Sequence, residues 1–337
     1  MHAVAYTACL PADQPGAFLD LEVPDPLTPQ GHDLLVEVRA VSVNPLDTKQ
    51  RQASDPKGRP RILGFDAAGV VRAVGLDCTL FQPGDAVFYA GLITRPGSNA
   101  QLQLVDERIT GRKPRSLSFA EAAALPLTSI TAGEALFDRL RMARDTTPRP
   151  QEAVLLIGGA GGVGSMAIQL ARQLTGLVVL ATASRTATRD WCLSLGAHHV
   201  LDHGADLVAQ VKALGLAVPY VFSITQTAKH WDASCALLAP FGLICAIDQT
   251  PVLDTNKLKP KAGGLVWEAM FARPLFRTAD MVSQHHLLNT VADLVEAGSV
   301  RTTLAEHFGP LTAANLARAH LRVESGQVIG KVVLGEA

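Results

Sequence analysis

Hydrophobic positions change their rhythm twice along the chain. Residues 34–44 (LLVEVRAVSVN) alternate with a period of two and predict a half-buried strand. A second apolar run follows at 67–75 (AAGVVRAVG), then a Pro83-Gly84-Asp85 turn and a strand at 86–91 (AVFYAG). Short strands broken by Pro and Gly predict a small barrel-like β unit. Over 118–138 the pattern turns helical, with Ser118 placed to N-cap and Glu121 to close a capping box. Strands and helices then alternate: strands at 153–158, 178–183, 198–202, 219–224 and 242–248, helices at 164–175, 186–195, 205–214 and 229–239. That order predicts a doubly wound parallel sheet. A strand within 258–274, a helix within 285–300 and a closing strand at 328–334 complete the reading. Residues 44–61 and 250–276 carry no periodicity and read as loops; 53–61 (ASDPKGRPR) is polar and proline-bearing.

The strand at 153–158 runs straight into glycines, AVLLIGGAGGVG over 153–164. Gly159-x-Gly161-x-x-Gly164 is the dinucleotide fingerprint. The first glycine allows the tight turn, the second lets backbone N–H groups approach a pyrophosphate, and the third lets the helix lie close to the strand. The helix N-terminus then faces the phosphates. Gly159, Ala160, Gly161, Gly162, Val163 and Gly164 are therefore the expected phosphate-binding residues.

Selective NAD sites place a carboxylate about 20 residues past that loop to hold the adenine ribose. This chain reads Ala183-Ser184-Arg185-Thr186 there, with no carboxylate until Asp190. Arg185 can grip a 2′-phosphate through its planar fork, Ser184 can donate a hydroxyl, and Arg189 stands one turn on. Cations at a helix N-terminus are unfavourable without an anion. NADPH is the expected cofactor. Thr225 and Thr227, at and just past the strand end Ser223-Ile224-Thr225, are candidates for ribose or carboxamide contacts.

Composition narrows the field. The chain has 337 residues, a two-domain length, with 48% hydrophobic and 18% charged residues. Its net charge of −1 argues against nucleic acid as a partner. No apolar run is long enough to span a membrane. The N-terminus lacks a secretory pattern. Cysteines 9, 78, 192, 235 and 245 are scattered, so a reduced, cytoplasmic protein is expected. The histidines at 198, 199, 203, 230, 285 and 286 read as surface, cap or helix-start residues.

Several strings together resemble the medium-chain dehydrogenase/reductase superfamily: VNPLDTKQR (43–51), ILGFDAAGVVRAVG (62–75), PGDAVFYAG (83–91), ALPLTSITAGEAL (124–136), LLIGGAGGVGSMAIQLA (155–171), LGAHHVLDH (195–203) and GKVVL (330–334). The resemblance covers essentially the whole chain. It is closest to the quinone oxidoreductase-like branch, and WEAMFARPLFRTADM (267–281) is similar to the group named zinc-type alcohol dehydrogenase-like. It implies an α/β fold with a GroES-like β-rich catalytic domain (1–127), a Rossmann cofactor domain (128–271) and a C-terminal segment (272–337) returning to the catalytic domain. It also implies Thr128 beside the nicotinamide, Lys331 near the cofactor, and a homodimer.

Zinc-using relatives place Cys, His and Cys ligands where this chain has Asn44, Phe65 and the Leu127-Thr128 pair. A phenyl ring and an alkyl chain cannot ligate, so no metal is expected. Without a cation, hydride transfer suits acceptors that delocalise charge as an enolate or quinol. Asn44 offers an amide donor and Tyr89 a hydroxyl. Phe65, Leu127, Trp267 and Phe271 are expected to line the substrate cleft, and Asp47 to bond backbone near the loop. The expected function is a zinc-independent NADPH-dependent reductase of small-molecule quinones or enones. The alternatives are a zinc alcohol dehydrogenase, a non-catalytic NADPH-binding protein acting as a redox sensor or structural protein, and a dehydratase-like or acyl-domain module detached from a larger synthase.

Overall fold

The computed structural model describes residues 1–337. Two compact units emerge: Met1–Ile130 with Phe271–Ala337, and Thr131–Met270.

The first unit begins with β1 (His2–Tyr6), β2 (Leu19–Glu22), β3 (Asp33–Val43), α1 (Pro45–Ala53), β4 (Arg61–Ile62), β5 (Ala67–Val74), β6 (Ala86–Tyr89), β7 (Leu102–Asp106) and β8 (Thr110–Arg112). β1 pairs antiparallel with β2 and with β4. β3 is the spine of the larger sheet and pairs antiparallel with β5 and β7. Its alternation holds at the start, where Leu34 and Val36 are buried and their neighbours are not. Its last four residues are all buried, which delivers Asn44 into the interior. α2 (Phe119–Ala123) starts on the expected cap: Ser118 N–H donates to Glu121 at 2.8 Å, and Glu121 N–H to the Ser118 hydroxyl at 3.3 Å.

The loop expected over 44–61 contains a nine-residue helix, α1. Its start signals are Pro45 at the first position and an acidic Asp47 in the first turn. What hid it is that its buried residues are Asp47, Thr48 and Arg51, so no apolar stripe marks it.

From Pro126, α3 runs to Gly133 and continues as a π turn over Glu134–Arg139. The second unit then alternates β9 (Arg149–Ile157), α4 (Gly162–Leu174), β10 (Leu177–Thr182), α5 (Thr186–Ser194), β11 (His199–Leu201), α6 (Leu207–Ala213), β12 (Ala217–Ser223), α7 (Thr227–Leu237), β13 (Leu238–Ala246) and β14 (Gly264–Trp267). All neighbouring strands are parallel, in the order β11-β10-β9-β12-β13-β14. The chain reverses its winding direction between β9 and β12, and ligands of such sheets bind beyond the carboxyl ends of the strands there. Ile157 and Ser223 are paired at that point.

The chain returns to the first unit through α8 (Ala272–Phe276), α9 (Ser283–Glu296), β15 (Leu304–His307), α10 (Ala313–Glu324) and β16 (Lys331–Gly335). β16 pairs antiparallel with β3, Val332 opposite Val43. That register sets Lys331 beside Asn44. One histidine differs from the sequence expectation. His285 is buried in α9, with Nδ1 2.6 Å from the Thr110 carbonyl and Nε2 2.8 Å from the Asn289 amide. His230 lies in the first turn of α7, the helix start expected of it, and is buried. His286, next on α9, is exposed, because successive helical residues point about 100° apart.

Candidate active site

Four elements of the first unit bring polar groups to one buried spot. Asn44 ends β3, Asp47 lies in the first turn of α1, Asp66 precedes β5, and Lys331 opens β16. All four are at most 3% exposed. Asp66 accepts from the Ser42 hydroxyl, the Asn44 amide and the Lys331 ammonium, each at 2.9 Å, and from the Leu127 N–H at 2.8 Å. Lys331 donates as well to the Val43 carbonyl at 3.3 Å and to the Asn44 side-chain oxygen. Asp47 accepts the N–H groups of Asn44 at 2.8 Å and Gly64 at 3.1 Å, the backbone role expected of it. Burial lifts the Asp47 carboxyl to about 7, against the pull of those two N–H groups and of Lys331.

The hydrophobic candidates divide between the units. Phe65 packs edge-to-face on Phe271 with centroids 5.8 Å apart, and Leu127 follows through its bond to Asp66, so three of the four adjoin the polar cluster. Trp267 lies at the end of β14 in the other unit and is half exposed. Tyr89 stands opposite Ala67, the residue after Asp66. It is buried, its hydroxyl has no hydrogen-bond partner, and burial holds the phenol well above its usual range.

Three of the expected cofactor contacts have side chains engaged within the chain. Lys331 was expected near the cofactor, but an ammonium has three protons and Val43, Asn44 and Asp66 engage them. It is internal to the cluster. Thr227 was expected to touch the cofactor, but it is buried and its hydroxyl meets Ser223 at 2.8 Å and the Asp248 carboxylate. Its N–H also donates to Asp248 at 3.1 Å, so it fixes the turn after β12. Thr128 is buried in α3 and donates its proton to the Leu125 carbonyl at 3.0 Å, leaving only an acceptor. Asp66 was missed as a site residue. Its signal was its place directly after Phe65, in the segment where zinc-using relatives carry a ligand.

In the second unit, the glycines divide the work differently from the simple fingerprint. The turn out of β9 falls on Gly158, whose φ is +95°. Its N–H donates to the Thr182 hydroxyl at 3.0 Å, tying the loop to β10. At Gly164 a Cβ would stand 2.2 Å from the Gly158 carbonyl, so the helix packs directly on the turn there. Gly161, the N-cap of α4, faces open space, and no side chain caps the helix. An uncapped helix end behind an open glycine suits a phosphate anion. At the end of β10, Ser184 and Arg185 are exposed, Arg185 is the N-cap of α5, and the Arg189 N–H donates to its carbonyl at 3.0 Å. Thr225 is exposed beyond β12 and its methyl abuts Gly158. These residues fit a nicotinamide dinucleotide.

Metal fits less well. No three His, Cys, Asp or Glu side chains converge in ligating geometry. The carboxylates of the cluster are spent on N–H groups, a hydroxyl and an ammonium. No helix is long and apolar enough to cross a membrane.

Known proteins agree with this architecture. Residues 30–130 match the family described as alcohol dehydrogenase GroES-like domain, and 195–334 the family described as zinc-binding dehydrogenase. A zinc-type alcohol dehydrogenase-like protein of Staphylococcus aureus is 45% identical over 312 residues, covering 91% of this chain and 92% of that one. The chain belongs to the medium-chain dehydrogenase/reductase superfamily. It is thus an oxidoreductase, with a GroES-like domain and a Rossmann-type parallel-sheet domain. Among solved structures, a candidate zinc-dependent alcohol dehydrogenase of Rhizobium etli is 54% identical, covers 100% of this chain and 98% of its own, and superposes with a TM-score of 0.95. A mycobacterial protein complexed with NADPH is 27% identical (99% and 100% covered, TM-score 0.83). A quinone oxidoreductase of Coxiella burnetii is 25% identical (100% and 99% covered, TM-score 0.79).

Proposed function

We propose that this oxidoreductase is a zinc-independent, NADPH-dependent reductase of quinones or α,β-unsaturated carbonyls. The observation that carries the reading is the chemistry of the buried cluster. Where zinc-using relatives supply ligands, this chain supplies an amide, a phenyl ring and an alkyl chain, and it satisfies its carboxylates internally. Such a site offers hydrogen-bond donors rather than a Lewis acid. Donors suffice when charge spreads over an enolate or quinol ring, and fall short for an isolated alkoxide. The solved quinone oxidoreductase of Coxiella burnetii and the mycobacterial NADPH complex support the same reading.

NADPH, when bound, supplies the hydride. The chain's own residues bind and orient. Gly159 to Gly164, including Ala160, Gly162 and Val163, cradle the pyrophosphate, and Ser184, Arg185 and Arg189 take the 2′-phosphate. Thr225 stands at the nicotinamide side, and Thr128 offers an acceptor. Asn44 and Tyr89 present donors to the acceptor oxygen, while Phe65, Leu127 and Phe271 keep the site dry. A phenol held neutral by burial donates a hydrogen bond without ionising. β14 ends its sheet as an unpaired edge, the kind of surface on which a second copy can add, in keeping with a homodimer.

The test is oxidation of NADPH and NADH by the purified protein with quinones, enals, enones and simple ketones, with and without a chelator. Turnover of conjugated acceptors with NADPH, insensitive to chelation, is expected. Activity confined to simple ketones and abolished by chelation overturns the proposal.

A further inference from the structure

The Asn44 carboxamide is held in one orientation by two partners that cannot exchange roles. An ammonium only donates, so Lys331 must meet the amide oxygen. Asp66 takes donors from Ser42, Lys331 and the Leu127 backbone, so it must meet the amide nitrogen, at 2.9 Å. A carboxamide nitrogen carries two hydrogens, and Asp66 uses one. Asp47 holds the other end of the residue through the Asn44 backbone N–H.

We propose that Lys331 and Asp66 are positioning residues, which fix the Asn44 amide so that the group it presents to an acceptor oxygen is an N–H and never a carbonyl. This rests on the proposed reductase reading and adds to it the residues that set the site's polarity. A flipped amide would put a lone pair against the developing oxyanion. A free amide would have to be ordered at each turnover, whereas preorganised donors cost no such reorganisation. The pair also explains an otherwise costly choice. A buried ion pair seldom adds stability over apolar residues of the same size, but it can enforce one arrangement. Neither residue is required to touch substrate or cofactor.

The full-length protein tests this with 1,4-benzoquinone and 2-cyclohexenone as acceptors. Asn44→Ala is expected to lower kcat about 100-fold, the usual cost of one oxyanion donor. Lys331→Met leaves Asp66 unpaired and risks misfolding. The double variant Lys331→Met/Asp66→Asn removes both charges together and keeps the volumes. It is expected to lower kcat at least about 10-fold with the NADPH dissociation constant unchanged, since its action runs through Asn44. Adding the pair to Asn44→Ala should cost nothing further. A multiplicative loss in that triple variant, or a pair variant with wild-type kcat, overturns the proposal.

A second arm does not depend on turnover. In protein labelled with 15N-asparagine, the Asn44 side-chain NH2 signals, assigned by their loss in Asn44→Ala, should exchange slowly with solvent and lose that protection in the double variant. If the wild type binds NADPH but reduces no acceptor, the reductase reading fails and this arm alone decides the positioning. Unchanged protection in the double variant overturns it.

Discussion

Lys331 and Asn44 stand 287 positions apart in the chain, yet the ammonium of one bonds the amide oxygen of the other in the interior of the first unit. The contact makes the last strand part of the candidate site. It also binds the C-terminal segment to β3 by more than the strand pairing. Without Lys331, the Asp66 carboxylate would be a buried charge with no counter-ion.

Lys331→Met alone should therefore destabilise the protein by about 3–5 kcal/mol, the typical cost of breaking one side of a buried pair. Adding Asp66→Asn should restore much of that, because no charge then remains stranded. Chemical denaturation of the three proteins provides the comparison. Equal stability of the single and double variants would show that the ion pair contributes no such constraint.

The phosphate loop separates binding from packing by a single methyl group. At Gly161 a Cβ enters open space, at Gly164 it collides with the backbone of the turn at Gly158 and Gly159. Gly161→Ala should leave the melting temperature unchanged and weaken NADPH binding about 10-fold or more, because the methyl occupies space a phosphate would need. Gly164→Ala should lower stability by about 1–3 kcal/mol through overpacking. Fluorescence titration and thermal melts together read both effects.

The sheet of the second unit was legible because its strands are buried on both faces and read as continuous apolar runs. The glycine loop was legible because it requires a residue type, not a pattern. α1 escaped because Asp47, Thr48 and Arg51 face inward, the reverse of an amphipathic helix. Asn44 stood out as the amide at a ligand position, but its partners did not. Lys331 reads locally as part of an apolar closing strand, and only the antiparallel register of β16 on β3 brings it to Asn44. The partner of Thr227 was hidden for a similar reason: Asp248, which engages its hydroxyl, lies 21 residues on.

The 2′-phosphate preference rests on Ser184 and Arg185, exposed at the end of β10 where a cofactor's adenosine ribose would lie. Ser184→Ala with Arg185→Ala removes a hydroxyl and a charge-assisted donor. The KM for NADPH should rise about 10–100-fold while that for NADH stays within about 2-fold. Steady-state kinetics with both cofactors reads this. An unchanged preference would move recognition of the 2′-phosphate elsewhere, to Arg189 first.

The π turn carries the last testable consequence. It brings Arg139 to two buried carboxyls, with Nε 2.9 Å from Glu268 and a terminal nitrogen 3.8 Å from Glu134. Burial, followed by the charge of Glu134, pushes the Glu268 carboxyl up to about 9, and Arg139 offsets only part of this. The native state thus keeps a proton that the unfolded chain, near 4.5, releases. For a group whose pKa is raised on folding, the stabilising contribution is full below the unfolded value and is lost as pH climbs to the folded one. Stability should decline from about pH 4.5 toward pH 9 on this account. Glu268→Gln keeps the shape and cannot ionise. It should flatten that decline and raise the melting temperature at pH 8 by a few degrees, with little change at pH 5. Melting curves of wild type and variant at pH 5, 6.5 and 8 measure the effect, and parallel curves at all three would show that Glu268 is already ionised in the folded protein.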